Sequence, residues 1–153
     1  MAKPDSGFEL RAARSYPVVV LVSAVDRRLL PALRFVSRLP FAQPRALHVS
    51  VDPDRTREIA SAWMTLGLTW LPLHVREADG GGVAATVRAV LAEEIPPVES
   101  VTVVLPELNV ARWWHPLLHR RSARRIAAEL QAPRVTTVIV PFSTDFRSSH
   151  VQR

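Results

Sequence analysis

Five short apolar runs recur along the chain, each bounded by proline, glycine or charged residues. They are Pro17–Ser23, Ala46–Val51, Trp70–Val75, Ser100–Leu105 and Val135–Val140. All are rich in β-branched residues, and the first and fourth are continuously apolar, the pattern of parallel strands covered on both faces. Between them the apolar period changes to that of helices. Leu29, Leu30, Leu33 and Val36 share one face of a helix over Arg27–Leu39, with Pro31 in its first turn, where proline is tolerated. Asp52-Pro53-Asp54 reads as a helix start leading into Ile59, Ala60, Trp63 and Leu66. Val83, Val87, Val90 and Leu91 mark a third helix, stopped by Pro96-Pro97, and Leu117, Leu118, Ile126, Ala127 and Leu130 mark a fourth.

Strand–helix alternation along the whole length predicts an α/β domain: a five-stranded parallel sheet with helices on both faces and right-handed crossovers. With strand order 3-2-1-4-5, the ligand crevice of such a sheet lies beyond the carboxyl ends of the first and fourth strands, where the order reverses. The loops at that point are Ser23–Arg28 and Pro106–Ser122.

At 153 residues, 48% of them hydrophobic, the chain fits one domain with a sizeable core. The expected division is a domain over 15–142 between an N-terminal tail, 1–14, and a C-terminal tail, 143–153. No cysteine is present, which excludes disulfides, thiolate metal sites and a thiol nucleophile and fits a reducing cytoplasm. The longest apolar run is far short of the roughly 20 residues of a membrane helix, and Met1–Tyr16 lacks the apolar core of a secretory signal. The chain as given reads as soluble and cytoplasmic.

The net charge is +6, and Lys3 is the only lysine. Residues 1–51 hold eight basic and three acidic groups, residues 52–111 hold four and nine, and residues 112–153 hold eight and two. Such a balance points to an anionic partner, against the plainer alternative of a solvated, arginine-rich surface. Nucleic acid is not expected, because aromatic residues are few and are not interleaved with basic ones on a strand face.

Asn109–Arg125 concentrates the candidate chemistry. Arg112, Trp114, His115, His119, Arg120, Arg121 and Ser122 fall in it, and Arg120, Arg121, Arg124 and Arg125 line one helical face. Like charges at i, i+4 repel, so a stripe of this kind favours an anion that neutralises it; arginine binds phosphate through two parallel N–H donors. Of Trp113 and Trp114, one is expected to anchor the loop and the other to be available for stacking. His115 and His119 have a spacing that can hold a metal, but no third ligand accompanies them and the arginines oppose a cation. No metal site is expected.

On the first-strand loop, Ser23, Asp26 and Arg27 are candidate ligand contacts, with helix capping the simpler role for Asp26. Asp79-Gly80-Gly81-Gly82 lacks phosphate-loop spacing and reads as a flexible connection. Ser143, Ser148 and Ser149 have no base–acid partners, so no catalytic residues and no enzyme activity are expected.

The five-strand pattern resembles the universal stress protein fold. Val101–Phe142 resembles the C-terminal cytosolic domain of APC-superfamily permeases, including the KUP-like bacterial potassium importers. Its Pro106-Glu107 step, Trp113-Trp114-His115, Leu117-Leu118-His119, Ser122-Ala123 and final Pro141-Phe142 carry that likeness. Two departures accompany it: Arg120-Arg121-Ser122 follows the Leu-Leu-His turn, and Glu77–Gly82 stands after the third strand. The resemblance implies a non-enzymatic regulatory domain on the cytoplasmic side of a permease, in the same chain or a separate one. It further implies a homodimer and, in the potassium importers, a response to cyclic di-AMP; the ligand expected for this chain is cyclic di-AMP or another adenine nucleotide. The alternative is a free-standing stress-protein-like module that binds ATP or a protein partner, although the glycine-rich ATP loop of that family is absent between Pro106 and Ser122.

Overall fold

The structure, a computed structural model, describes residues 15–40, 42–97, 99–106 and 123–142. Five parallel strands form one sheet in the order β3-β2-β1-β4-β5. They are β1 (Tyr16–Leu21), β2 (Ala42–Ser50), β3 (Leu73–Glu77), β4 (Val101–Pro106) and β5 (Val135–Val140). The helices are α1 (Leu30–Ser37), α2 (Pro53–Leu66), α3 (Val83–Glu94) and α4 (Ala123–Glu129), and a short 3-10 turn over Arg27–Leu29 precedes α1.

Alternate residues of the central strands divide the core into two layers. Val18, Val20 and Val22 pack with Leu29, Ala32, Leu33 and Val36 of the α1 segment and with Ile59 and Trp63 of α2. Val19 and Leu21 point the other way, to Val87, Val90 and Leu91 of α3 and Leu130 beyond α4. A strand buried on both faces has no polar alternation to show, which is why β1 reads as an unbroken apolar run and β4 as one interrupted only by Thr102. The result is the expected three-layer α/β architecture, with helices on both sides of the sheet.

The boundaries differ from expectation where prolines or turns intervene. β2 begins four residues earlier than its apolar run and includes Pro44. The amide of Ala46 donates toward β3, to the Pro72 carbonyl, so the N–H that Pro44 lacks would face the same side. β3 pairs only from Ala46 onward, so the sheet loses no bond there. The third strand starts at Leu73 rather than Trp70, because α2 ends on Gly67 in the left-handed conformation (φ 62°, ψ 32°) and residues 68–72 form the return turn. Leu71 is fully buried in that turn, and the Trp63 indole donates to its carbonyl at 3.1 Å.

Asp79–Gly82 is an organised connection rather than a loose one. The Asp79 carboxylate accepts from the Gly81 amide at 3.1 Å and from the Thr86 hydroxyl at 3.2 Å, and Thr86 is buried. α4 starts at Ala123; Leu117 and Leu118, expected on that helix, lie outside the described residues.

Candidate functional site

The reversal of strand order falls between β1 and β4. Val18, Val19 and Val20 pair in parallel with Thr102, Val103 and Val104, so the two strands leave the sheet side by side. The segment after β1 is short and held. Asp26 caps the 3-10 turn: its Oδ1 accepts from the Arg28 amide at 2.9 Å, and its backbone carbonyl accepts from Leu29 N at 3.1 Å. The Arg28 guanidinium lies 3.9 Å from the same carboxylate. Ser23, Asp26 and Arg27 are all exposed at the carboxyl end of the sheet, the position expected for ligand contacts.

Beside this loop, on its α2 flank, is an open cavity of about 310 Å³. Ala24, Val25, Ile59 and Ala62 form its apolar floor, and Asp26, Arg55 and Glu58 its polar rim. Arg55 and Glu58 pair across one helical turn at 3.1 Å. Both enter because Asp52 accepts from the Asp54 amide at 3.0 Å and starts α2 with Pro53 immediately after β2.

A buried relay fixes the two walls of the cavity relative to each other. His48 on β2 is 5% exposed; its Nδ1 lies 2.7 Å from the Val22 carbonyl oxygen, and its Nε2 lies 3.0 Å from Thr56 Oγ1 on α2. A carbonyl only accepts, so Nδ1 carries the proton donated to Val22, and Nε2 stands within hydrogen-bond distance of the Thr56 hydroxyl. Thr56 Oγ1 is also 2.7 Å from Ser50 Oγ and 2.9 Å from the Asp52 carbonyl. The exit of β1 and the first turn of α2 are thereby joined through one imidazole. The lone histidine in an apolar strand was the only sequence signal of this relay, and Arg55 and Glu58 had none beyond the helix start.

Arg112, Trp114, His115, His119, Arg120, Arg121 and Ser122 lie outside the described residues, as does most of the loop that follows β4. Of the arginine stripe, Arg124 and Arg125 are described and exposed. Arg125 Nε pairs with Glu129 at 3.1 Å across one turn of α4, so this member already has an internal carboxylate.

Fold and crevice together define a doubly wound α/β domain whose first and fourth strands open at one place. Over residues 13–142 the sequence matches the family model of the KimA potassium transporter C-terminal domain, and the chain belongs to that family. Searches of curated proteins and of solved structures returned no match. Among the described residues, no helix is long and apolar enough to cross a membrane.

Proposed function

We propose that this chain is a non-enzymatic regulatory domain of an APC-type potassium permease, lying at the cytoplasmic face of the membrane and sensing an anionic nucleotide such as cyclic di-AMP. Family membership supports the connection to a potassium transporter. The observation that supports the sensing role is the parallel register of Val18–Val20 with Thr102–Val104, which brings the carboxyl ends of β1 and β4 together at the reversal of strand order, where such sheets bind ligands.

In this reading the phosphates are neutralised by Arg120 and Arg121, with Arg27 and Arg112 at the rim, through paired guanidinium donors. Trp114 supplies a stacking surface, and Ser23, Asp26, His115, His119 and Ser122 hydrogen-bond base or ribose. The domain acts as a homodimer, and the ligand works by population shift. It binds one dimer geometry more tightly, and that difference in affinity biases the attached permease. Among the described residues β5 is an edge strand of the sheet, the kind of edge that can pair with a second copy in a dimer.

Titration calorimetry with cyclic di-AMP, ATP and AMP tests the assignment. Cyclic di-AMP is expected to give a saturable heat that Arg120→Ala plus Arg121→Ala abolishes. Heats unchanged by that double substitution would remove the arginines from the site. A response to ATP alone would favour a stress-protein-like nucleotide module instead. A monomer by light scattering at high concentration, with and without nucleotide, would end the dimer mechanism.

A further inference from the structure

We infer that the outer face of α1 is a docking surface for an anionic lipid bilayer. Between Asp26 and Asp52 the chain has five arginines and no acidic residue. Arg28 is drawn to Asp26 at 3.9 Å, and Arg45 pairs with Glu94 of α3. That leaves Arg27, Arg34 and Arg38, which take part in no ion pair among the described residues.

Arg34 and its neighbour four residues on, Arg38 at the C-terminal cap, share one side of α1, and Arg27 stands on the 3-10 turn that leads into it. All three are exposed, and Leu30, 46% exposed, lies among them one turn before Arg34. The opposite side carries buried Leu29, Ala32, Leu33 and Val36. α1 therefore has an inner face used by the core and an outer face that is basic with an apolar side chain set into it.

Elsewhere among the described residues, Arg88 and Arg134 donate to the backbone carbonyls of Glu129 and Pro96, Arg124 has no ion pair, and the other arginines meet carboxylates. Arg55 pairs with Glu58, Arg57 with Asp54, Arg76 with Glu93 and Arg125 with Glu129. A bilayer surface rich in acidic lipid complements the α1 face in charge, and its interfacial zone accepts Leu30. The face is also on the correct side. α1 runs back toward the edge where the chain enters β1, since Tyr16 pairs with Ala42 a few residues after Arg38. In a C-terminal domain the preceding transporter joins through that edge. Only this last step rests on the transporter reading above.

Co-sedimentation of the full 153-residue chain with phosphatidylcholine vesicles, with and without one-third phosphatidylglycerol, tests the inference. Binding is expected only with phosphatidylglycerol, weakening as salt is raised. Arg34→Gln plus Arg38→Gln is expected to lower partitioning about thirtyfold, at a factor of about five per arginine. Arg57→Gln plus Arg76→Gln should leave it unchanged. No binding to the acidic vesicles, or equal binding by the Arg34/Arg38 variant, would overturn the proposal. So would an equal loss, in that variant, of binding to a DNA duplex at matched phosphate concentration. Cyclic di-AMP heats recorded on the same variant report separately on the nucleotide reading, because neither substituted residue belongs to the proposed nucleotide site.

Discussion

The imidazole Nδ1 of His48 lies 2.7 Å from the carbonyl oxygen of Val22, and this bond links the second strand to the exit of the first. Both polar groups are buried away from bulk water, and on its other nitrogen the ring meets Thr56 at 3.0 Å. His48→Phe fills much the same space and leaves the Val22 carbonyl without its partner. An unsatisfied buried acceptor costs about 1–3 kcal/mol, so the urea midpoint is expected to fall by that amount divided by the m-value. A variant as stable as the wild type would mean that water or a shifted backbone serves the carbonyl.

Trp63 has two separable roles. Its indole is 6% exposed against the α1 and α2 layer of the core, and its Nε1–H donates to the Leu71 carbonyl at 3.1 Å, tying the return turn to the helix. Trp63→Ala loses both roles and is expected to cost about 3–5 kcal/mol. Trp63→Phe keeps most of the packing and is expected to cost distinctly less, about 1–3 kcal/mol, from the lost bond and the smaller ring. Chemical denaturation of the pair checks the ordering. Equal costs would place all of the effect in the hydrogen bond.

Much of this fold is legible in the sequence because the central strands β1 and β4 bury both faces, and continuous β-branched runs have few other readings. Val135–Val140 is a strand residue for residue as its pattern predicts. Strand–helix alternation and crossover handedness give a parallel sheet, and the order β3-β2-β1-β4-β5 is the one assumed with the stress-protein-like resemblance. Local apolarity misleads at Trp70 and Leu71: Leu71 is apolar because the turn after Gly67 plugs the core with it, and Trp70 is exposed on the same turn; the chain is not a strand at either residue. The candidate site is less legible. Asp26 is found because it follows a strand, whereas Arg55 and Glu58 reach the cavity rim through the docking of α2, a tertiary matter with no local signature. The pairing of Arg45 with Glu94 and of Arg76 with Glu93 likewise depends on which carboxylates the fold brings near, whereas that of Arg125 with Glu129 is a local i,i+4 pair.

Two glycines separate backbone strain from steric crowding. Neither Gly67 nor Gly82 has an atom within 4 Å of the place where a Cβ would stand, so substitution there tests conformation alone. Gly67 (φ 62°, ψ 32°) is in the left-handed helical region, which asparagine tolerates. Gly82 (φ 87°, ψ −173°) is in a region that is almost exclusively glycine's. Gly67→Asn is therefore expected to cost less than about 1 kcal/mol and Gly82→Asn about 1–3 kcal/mol. Thermal unfolding of the two variants decides it. A reversed order would mean that the turn before α3 relaxes to another conformation.

Asp26 is where capping and ligand binding can be told apart. Its Oδ1 accepts the Arg28 amide at 2.9 Å, a role that asparagine fills about as well as aspartate. Asp26→Ala removes the cap, and about 1 kcal/mol of stability should go with it. Asp26→Asn keeps the cap and removes the charge, and with it the 3.9 Å attraction to Arg28; half-exposed pairs of this kind contribute less than about 1 kcal/mol. Its stability should therefore stay near that of the wild type. If the carboxylate accepts a hydrogen bond from a nucleotide's ribose or base, Asp26→Asn should weaken cyclic di-AMP binding while the melting temperature holds. Calorimetry and thermal unfolding on the two variants give the answer together. Nucleotide affinity that follows stability alone, falling in Asp26→Ala and intact in Asp26→Asn, would leave Asp26 a helix cap and nothing more.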